Sequence, residues 1–123
     1  MISGLVDARL EARIAVYIED DTGQCQNVDA VIDTGFSGFL CLPPSQVASL
    51  ALPWVCRQPT KLADGTIQML DEYAAIVIWD TQPRNILVVA ANTDPLVGMK
   101  LLEGNELRMR VVPGGFIWID AVP

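Results

Sequence analysis

The chain contains no histidine. That absence removes Ser-His and Cys-His pairs and any zinc-protease helix with two histidines, and it leaves acid–base work to carboxylates, lysine, tyrosine or cysteine. Cysteine is scarce. Cys25, Cys41 and Cys56 cannot all pair within one chain, and their spacing fits no zinc pattern. They read as free thiols in a reducing compartment. Basic residues are few as well: 8 Lys and Arg stand against 15 Asp and Glu, a net charge of −7 without a basic cluster. Binding to nucleic acid through phosphates, or to an anionic membrane surface, is therefore not expected. No apolar run approaches the ~18 residues that span a bilayer, and the start Met1-Ile2-Ser3-Gly4-Leu5 does not read as a signal peptide. The expectation is a soluble, cytoplasmic protein.

What is present is apolar. Hydrophobic residues make up 51% of the 123 positions, and mean hydropathy is positive. One domain spanning 1–123 is expected from this length. The high apolar share suggests a further buried surface, such as an oligomer interface.

Taken in order, Val6 to Ile18 alternates with period two and reads as one long half-buried strand. Glu19 to Gln24 reads as a hairpin turn, and Val28 to Ile32 as the returning strand. Phe39 to Leu42 is a short apolar strand. Pro44 opens a helix that Pro53 stops, and Trp54 to Pro59 reads as irregular. Lys61 to Ile67 reads as a strand, a tight turn at Asp64-Gly65 and a strand. Tyr73 to Trp79 is a strand, Asp80 to Asn85 a turn, and Ile86 to Ala91 an apolar strand expected to be buried on both faces. Leu96-Val97-Gly98 leads into a short helix that Gly104 ends. Glu106 to Val112 follows as a strand with Leu107, Met109 and Val111 inward, and Phe116 to Val122 closes the chain. Many short strands with two short helices predict a mostly β fold, a closed barrel or sandwich.

Within this pattern one stretch is unusual. Ala30-Val31-Ile32 runs apolar into Asp33-Thr34-Gly35, and Phe36-Ser37-Gly38-Phe39-Leu40 turns apolar again. A carboxylate in an apolar setting is costly unless it is paired or hydrogen-bonded. Asp33 is therefore either at the surface by accident or in a prepared site. A second triplet, Asp21-Thr22-Gly23, lies in an acidic loop without an apolar approach and reads as a plain turn.

Apolar-apolar-Asp33-Thr34-Gly35-Phe36-Ser37 resembles the active-site motif of the aspartic proteases. Leu96-Val97-Gly98 before a short helix resembles their second signature, and the Ala63-Asp64-Gly65 hairpin lies between, where that family has its flap. Order and spacing are similar to the single-domain, retropepsin-like members over about Val6 to Val122. The resemblance implies the acid-protease fold, no cofactor and no metal, and a peptide or protein substrate. It also implies a homodimer, because one chain offers one such aspartate and the mechanism needs two.

By the same resemblance Asp33 is the catalytic carboxylate. Thr34 holds the pair across the twofold axis, and Gly35 lets the two loops approach and turns its N–H to the carboxylate. Ser37 either hydrogen-bonds the outer oxygen of Asp33 or is a turn hydroxyl. Leu96 and Val97 line or support the substrate pocket, or are simply core. Gly98 lets the chain cross beneath the loop, or merely enters the helix. Ala63, Asp64 and Gly65 form the flap tip, or an ordinary exposed hairpin. The chain departs from the retroviral pattern in its charged flap tip, in lacking a flap tyrosine, and in Phe36 where alanine is usual. The implied activity is that of an aspartic endopeptidase. The alternative is a catalytically inactive module of the same fold that dimerises or binds a peptide.

Overall fold

The computed structural model describes residues 1–62 and 64–123. Ten strands and two short helices follow one another as β1 (Ile2–Val6), β2 (Ala12–Glu19), β3 (Cys25–Ile32), β4 (Leu40–Leu42), α1 (Pro44–Leu50), β5 (Trp54–Lys61), β6 (Ile67–Trp79), β7 (Gln82–Ala90), β8 (Leu96–Val97), α2 (Met99–Leu102), β9 (Asn105–Met109) and β10 (Phe116–Ala121). They form one sheet in the order β5-β6-β7-β4-β8-β3-β2-β1-β10-β9, and β6 also pairs back onto β2. That extra pairing closes a ring of strands and removes part of the edge an open sheet would expose. The mostly β architecture with two short helices is as expected. No helix among the described residues is long and apolar enough to cross a membrane.

The interior is aliphatic. Ile14, Ile18, Leu40, Leu42, Leu101, Ile117 and Ile119 are almost completely buried, and among the described residues no charged or polar residue joins them. Apolar burial on this scale is the main favourable term in folding. Short β4 sits between β7 and β8 with all three of its residues buried. Only apolar residues can occupy such a position.

The β1–β2 region corrects the sequence reading. Val6 to Ile18 is not one strand, because Asp7 folds the chain back. Asp7 Oδ1 accepts the Arg9 and Glu11 N–H groups at 2.9 Å, and Asp7 Oδ2 takes the Arg13 Nε–H at 2.8 Å. Leu10 turns the corner at φ 64°. The alternation runs unbroken through the turn, so period alone could not reveal it; a side-chain oxygen competing for backbone donors could.

Four further expectations are revised. Trp54–Pro59 is strand, not irregular: β5 pairs along β6 with a register shift between Trp54 and Cys56. The turn expected over Asp80–Asn85 shrinks to two residues, Asp80 and Thr81, with φ 48° and 70°. That is the left-handed pair a two-residue hairpin requires, here without glycine or asparagine. β7 is not covered on both faces, since Ile86 and Val88 are buried but Leu87 is exposed. Val111 lies beyond β9 and is exposed instead of inward.

Candidate active site

β3 ends at Ile32, and the chain leaves the sheet at Asp33. Parallel pairing with β8 positions this exit: Val31 N–H donates to Pro95 O and Asp33 N–H to Val97 O, both at 2.9 Å. The loop then closes on itself. Phe36 N–H donates to Asp33 O at 3.1 Å, and Gly35 N–H donates to Asp33 Oδ1 at 2.9 Å. Asp33 is half-buried, whereas Thr34, Gly35 and Ser37 are exposed. Among the described residues the Gly35 amide is the donor to that carboxylate. Ser37 makes no hydrogen bond to it among the described residues.

The segment after β8 locks the loop from below. Gly98 N–H donates to Phe39 O at 3.0 Å, Met99 N–H to Phe36 O at 2.8 Å and Lys100 N–H to Gly38 O at 3.1 Å. The two segments approach so closely that a Cβ on Gly98 would stand 2.1 Å from Gly38 O and 2.6 Å from Phe36 Cδ2. At φ −98° the backbone of Gly98 is open to any residue, so the constraint is space. Gly98 thus lies where the chain crosses beneath the loop, and Val97, fully buried, supports it from within; Leu96 is half-buried.

Phe36 and Gly38 were not singled out from sequence as working parts. A Cβ on Gly38 would meet Phe36 Cζ at 2.6 Å, so one phenyl ring fills the space that two glycines leave. An aromatic flanked by glycines on both crossing segments is the signal that could have shown this. Cys41 was also missed. Its thiol is buried and pushed up to about 11, first by burial and then by the negative charge of Asp33. A protonated thiol therefore lies within electrostatic reach of the carboxylate.

The hairpin between β5 and β6 is a separate feature. Asp64 Oδ1 accepts the Thr66 N–H at 2.9 Å and its hydroxyl at 2.7 Å, and these bonds hold the Asp64 carboxyl below its ordinary range. Gly65 takes φ 88°, the left-handed turn position. Ala63, the third residue expected at the tip, lies outside the described residues. No hydrogen bond joins the described tip residues to the Asp33 loop. Along β6 the odd positions face the core at Ala75, Val77 and Trp79; by alternation Met69 and Ile67 continue that face beyond it, and both are exposed. Toward its tip this face of the hairpin is mixed: Ile67 pairs opposite Lys61, Met69 opposite Pro59 and Asp71 opposite Arg57. The other triplet is an ordinary turn, in which Asp20 Oδ1 binds the Thr22 hydroxyl and the Thr22 and Gln24 amides and Gly23 takes φ 82°.

Cavities of about 370 to 520 Å³ occur elsewhere on the chain, and Asp33 lines none of these three. The Asp33 side chain is half-buried, with exposed Thr34 and Gly35 beside it. Superposition on solved structures gives this arrangement a context. The crystal structure of a retropepsin-like aspartic protease from Rickettsia conorii matches over 99% of this chain and 91% of that one, with a TM-score of 0.62 and 19% sequence identity. The fold is retropepsin-like. At this identity the likeness concerns the fold alone. No protein-family model matches the sequence, and no curated protein does.

Proposed function

We propose that this retropepsin-like chain is an aspartic endopeptidase that works as a homodimer. The observation that carries the reading is the half-site itself. Asp33 is half-buried with one oxygen fixed by the Gly35 amide, on a loop held by five backbone hydrogen bonds to Val97, Gly98, Met99 and Lys100 and within itself. Thr34 and Gly35 lie exposed beside it, so a second loop can approach.

Peptide hydrolysis by carboxylates alone needs two of them. Like charges a few ångströms apart cannot both ionise easily, so the pair shares one proton and titrates as a unit. The ionised member takes a proton from a water molecule as that water attacks the peptide carbonyl. The protonated member donates to the carbonyl oxygen, giving a tetrahedral diol. Collapse returns a proton to the departing amine and restores the pair. This chemistry calls on neither metal nor cofactor. The substrate is an extended peptide laid between the loop and the β5–β6 hairpin, where Met69 and Ile67 offer apolar contact and main-chain groups offer strand-like hydrogen bonds.

Asp33→Asn tests the proposal. The amide keeps an acceptor for the Gly35 N–H, so fold and dimer should survive, while peptidase activity falls by about 10²–10⁴ or more. Retained activity would refute the enzyme. A second reading, a catalytically silent peptide-binding module, draws support from the hairpin tip, where Asp64 is committed to Thr66. Under that reading wild type and Asp33→Asn bind peptides equally and neither cleaves them.

A further inference from the structure

We infer that the hollow between the β2–β3 turn and the edge of β6 is a binding site for a small organic amine, with the protonated nitrogen at the acidic turn and an apolar body against β6 and β7. The inference stands apart from the chemistry proposed at Asp33.

The hollow follows from how β6 shares its edges. β7 runs along one edge of β6 without a register shift. The other edge is divided between two strands. β5 pairs up to Trp54 opposite Tyr73, and Ala74 N–H still donates to Pro53 O at 2.9 Å. β2 joins only at Ile18 opposite Val77 and Tyr17 opposite Ile78. Ala75 and Ile76 fall between, where β5 has not yet begun and β2 is entering its turn. Beside them lies a cavity of about 520 Å³, within the ~300–1,000 Å³ of small-ligand sites. Small side chains keep it open, since Ala51, Ala74 and Ala75 all line it.

Its walls differ in character. The segment after α1, β6 and β7 contribute Leu52, Ile76 and Ile86, and Asn85 is the one polar residue they add among the described residues. The β2–β3 turn contributes Glu19, Asp20 and Asp21, and no lysine or arginine among the described residues lines the cavity. The three carboxylates have unequal roles. Asp20 commits its oxygens to Thr22, Gln24 and Gln26 within the turn. Those bonds, the Thr22 hydroxyl first, hold it down to about 2 and so keep it charged. Glu19 and Asp21 accept no hydrogen bond and pair with no cation among the described residues.

Carboxylates with free acceptors beside an apolar wall match a cation that carries an apolar body. Volume selects a whole small molecule, because one lysine or arginine side chain would leave most of the cavity empty. Anions are repelled both by the net charge of −7 and by the turn itself. The site is also remote from Asp33. Glu19 pairs with Cys25, and β3 then runs eight residues to Ile32 before Asp33, roughly 25 Å at ~3.3 Å per residue.

The test titrates the full chain with tryptamine, and with tryptophol and indolepropionate as its neutral and anionic counterparts, followed by backbone amide NMR shifts. Tryptamine should bind saturably and shift the amides of Asp21, Leu52, Ala74 and Ile76. Tryptophol should bind about fivefold more weakly or worse, and indolepropionate should leave the spectrum unchanged. Glu19→Gln combined with Asp21→Asn breaks no hydrogen bond of the turn and should weaken tryptamine about fivefold at an unchanged melting temperature. Ala74→Leu narrows the cavity and should remove binding of amine and alcohol alike. Asp33→Asn should bind tryptamine like wild type, whether or not the chain cleaves peptides. Equal affinity for amine and alcohol would overturn the inference. So would shifts that vanish in Asp33→Asn, or a wild type that binds no tryptamine at millimolar concentration.

Discussion

Replacing Gly98 by alanine should damage the fold far more than so small a change normally does. The new methyl would stand 2.1 Å from Gly38 O, 2.6 Å from Phe36 Cδ2 and 2.8 Å from Phe36 O. Two of those three atoms are backbone, and both belong to the segment that Met99 and Lys100 hold by hydrogen bonds. A rotamer change cannot relieve them, so the crossing segments must separate. Overpacking of this kind costs about 3 kcal/mol or more. With an unfolding entropy of about 2.1 cal/mol/K per residue over 123 residues, 3 kcal/mol lowers the melting temperature by roughly 12 °C. Gly35→Ala is the matched control. Its methyl meets only Asp33 Oδ1, at 3.2 Å, so stability should change by less than about 1 kcal/mol, while activity falls because the carboxylate is displaced. Calorimetry on both variants, with a peptidase assay alongside, reads the contrast. A Gly98→Ala protein that melts with wild type would refute the close crossing as the element that holds the loop.

Two further outcomes follow from the ionisable groups. Asp20 is held down to about 2, chiefly by the Thr22 hydroxyl and the Gln26 amide, against an ordinary 3.8. A carboxylate lowered in the folded state stabilises above its unfolded value and loses that contribution as pH falls through its folded one. Urea midpoints should therefore drop between about pH 4 and 2, and Asp20→Asn should flatten that limb; an unchanged limb would refute the assignment. Cys41, raised to about 11 by burial and Asp33, favours the folded state below the ordinary thiol range and loses that contribution as pH rises toward its folded value. Exposed Cys25 should react with a thiol reagent in the native protein, and Cys41 only on unfolding.

The strands of the ring were legible because their inward positions are aliphatic at period two. The turns were legible where glycine or proline marks them, as at Gly23, Gly65 and Gly104. Reading failed where side-chain chemistry or context decides. Asp7 breaks a perfect alternation by capturing two amides. Asp80-Thr81 makes a left-handed turn without glycine. Trp54–Lys61 is strand because β6 provides a partner, although its own sequence, with Pro59 inside, argues against one. At the proposed site, Asp33, Gly35 and Gly98 stand out in the sequence by type and spacing. Phe36 and Gly38 do not, because their importance lies in a contact across sixty residues of chain.

The central claim is that each chain supplies half of a catalytic pair. Titrating a fixed amount of wild-type chain with Asp33→Asn chain, at concentrations where both are dimeric, tests it directly. Mixed dimers hold one carboxylate and should be inactive. At equal amounts, with random exchange, about a quarter of the dimers carry two wild-type chains and about half of the original activity remains; a large excess of variant should silence the enzyme. Activity that stays constant however much Asp33→Asn is added would show that one chain suffices and would contradict the account.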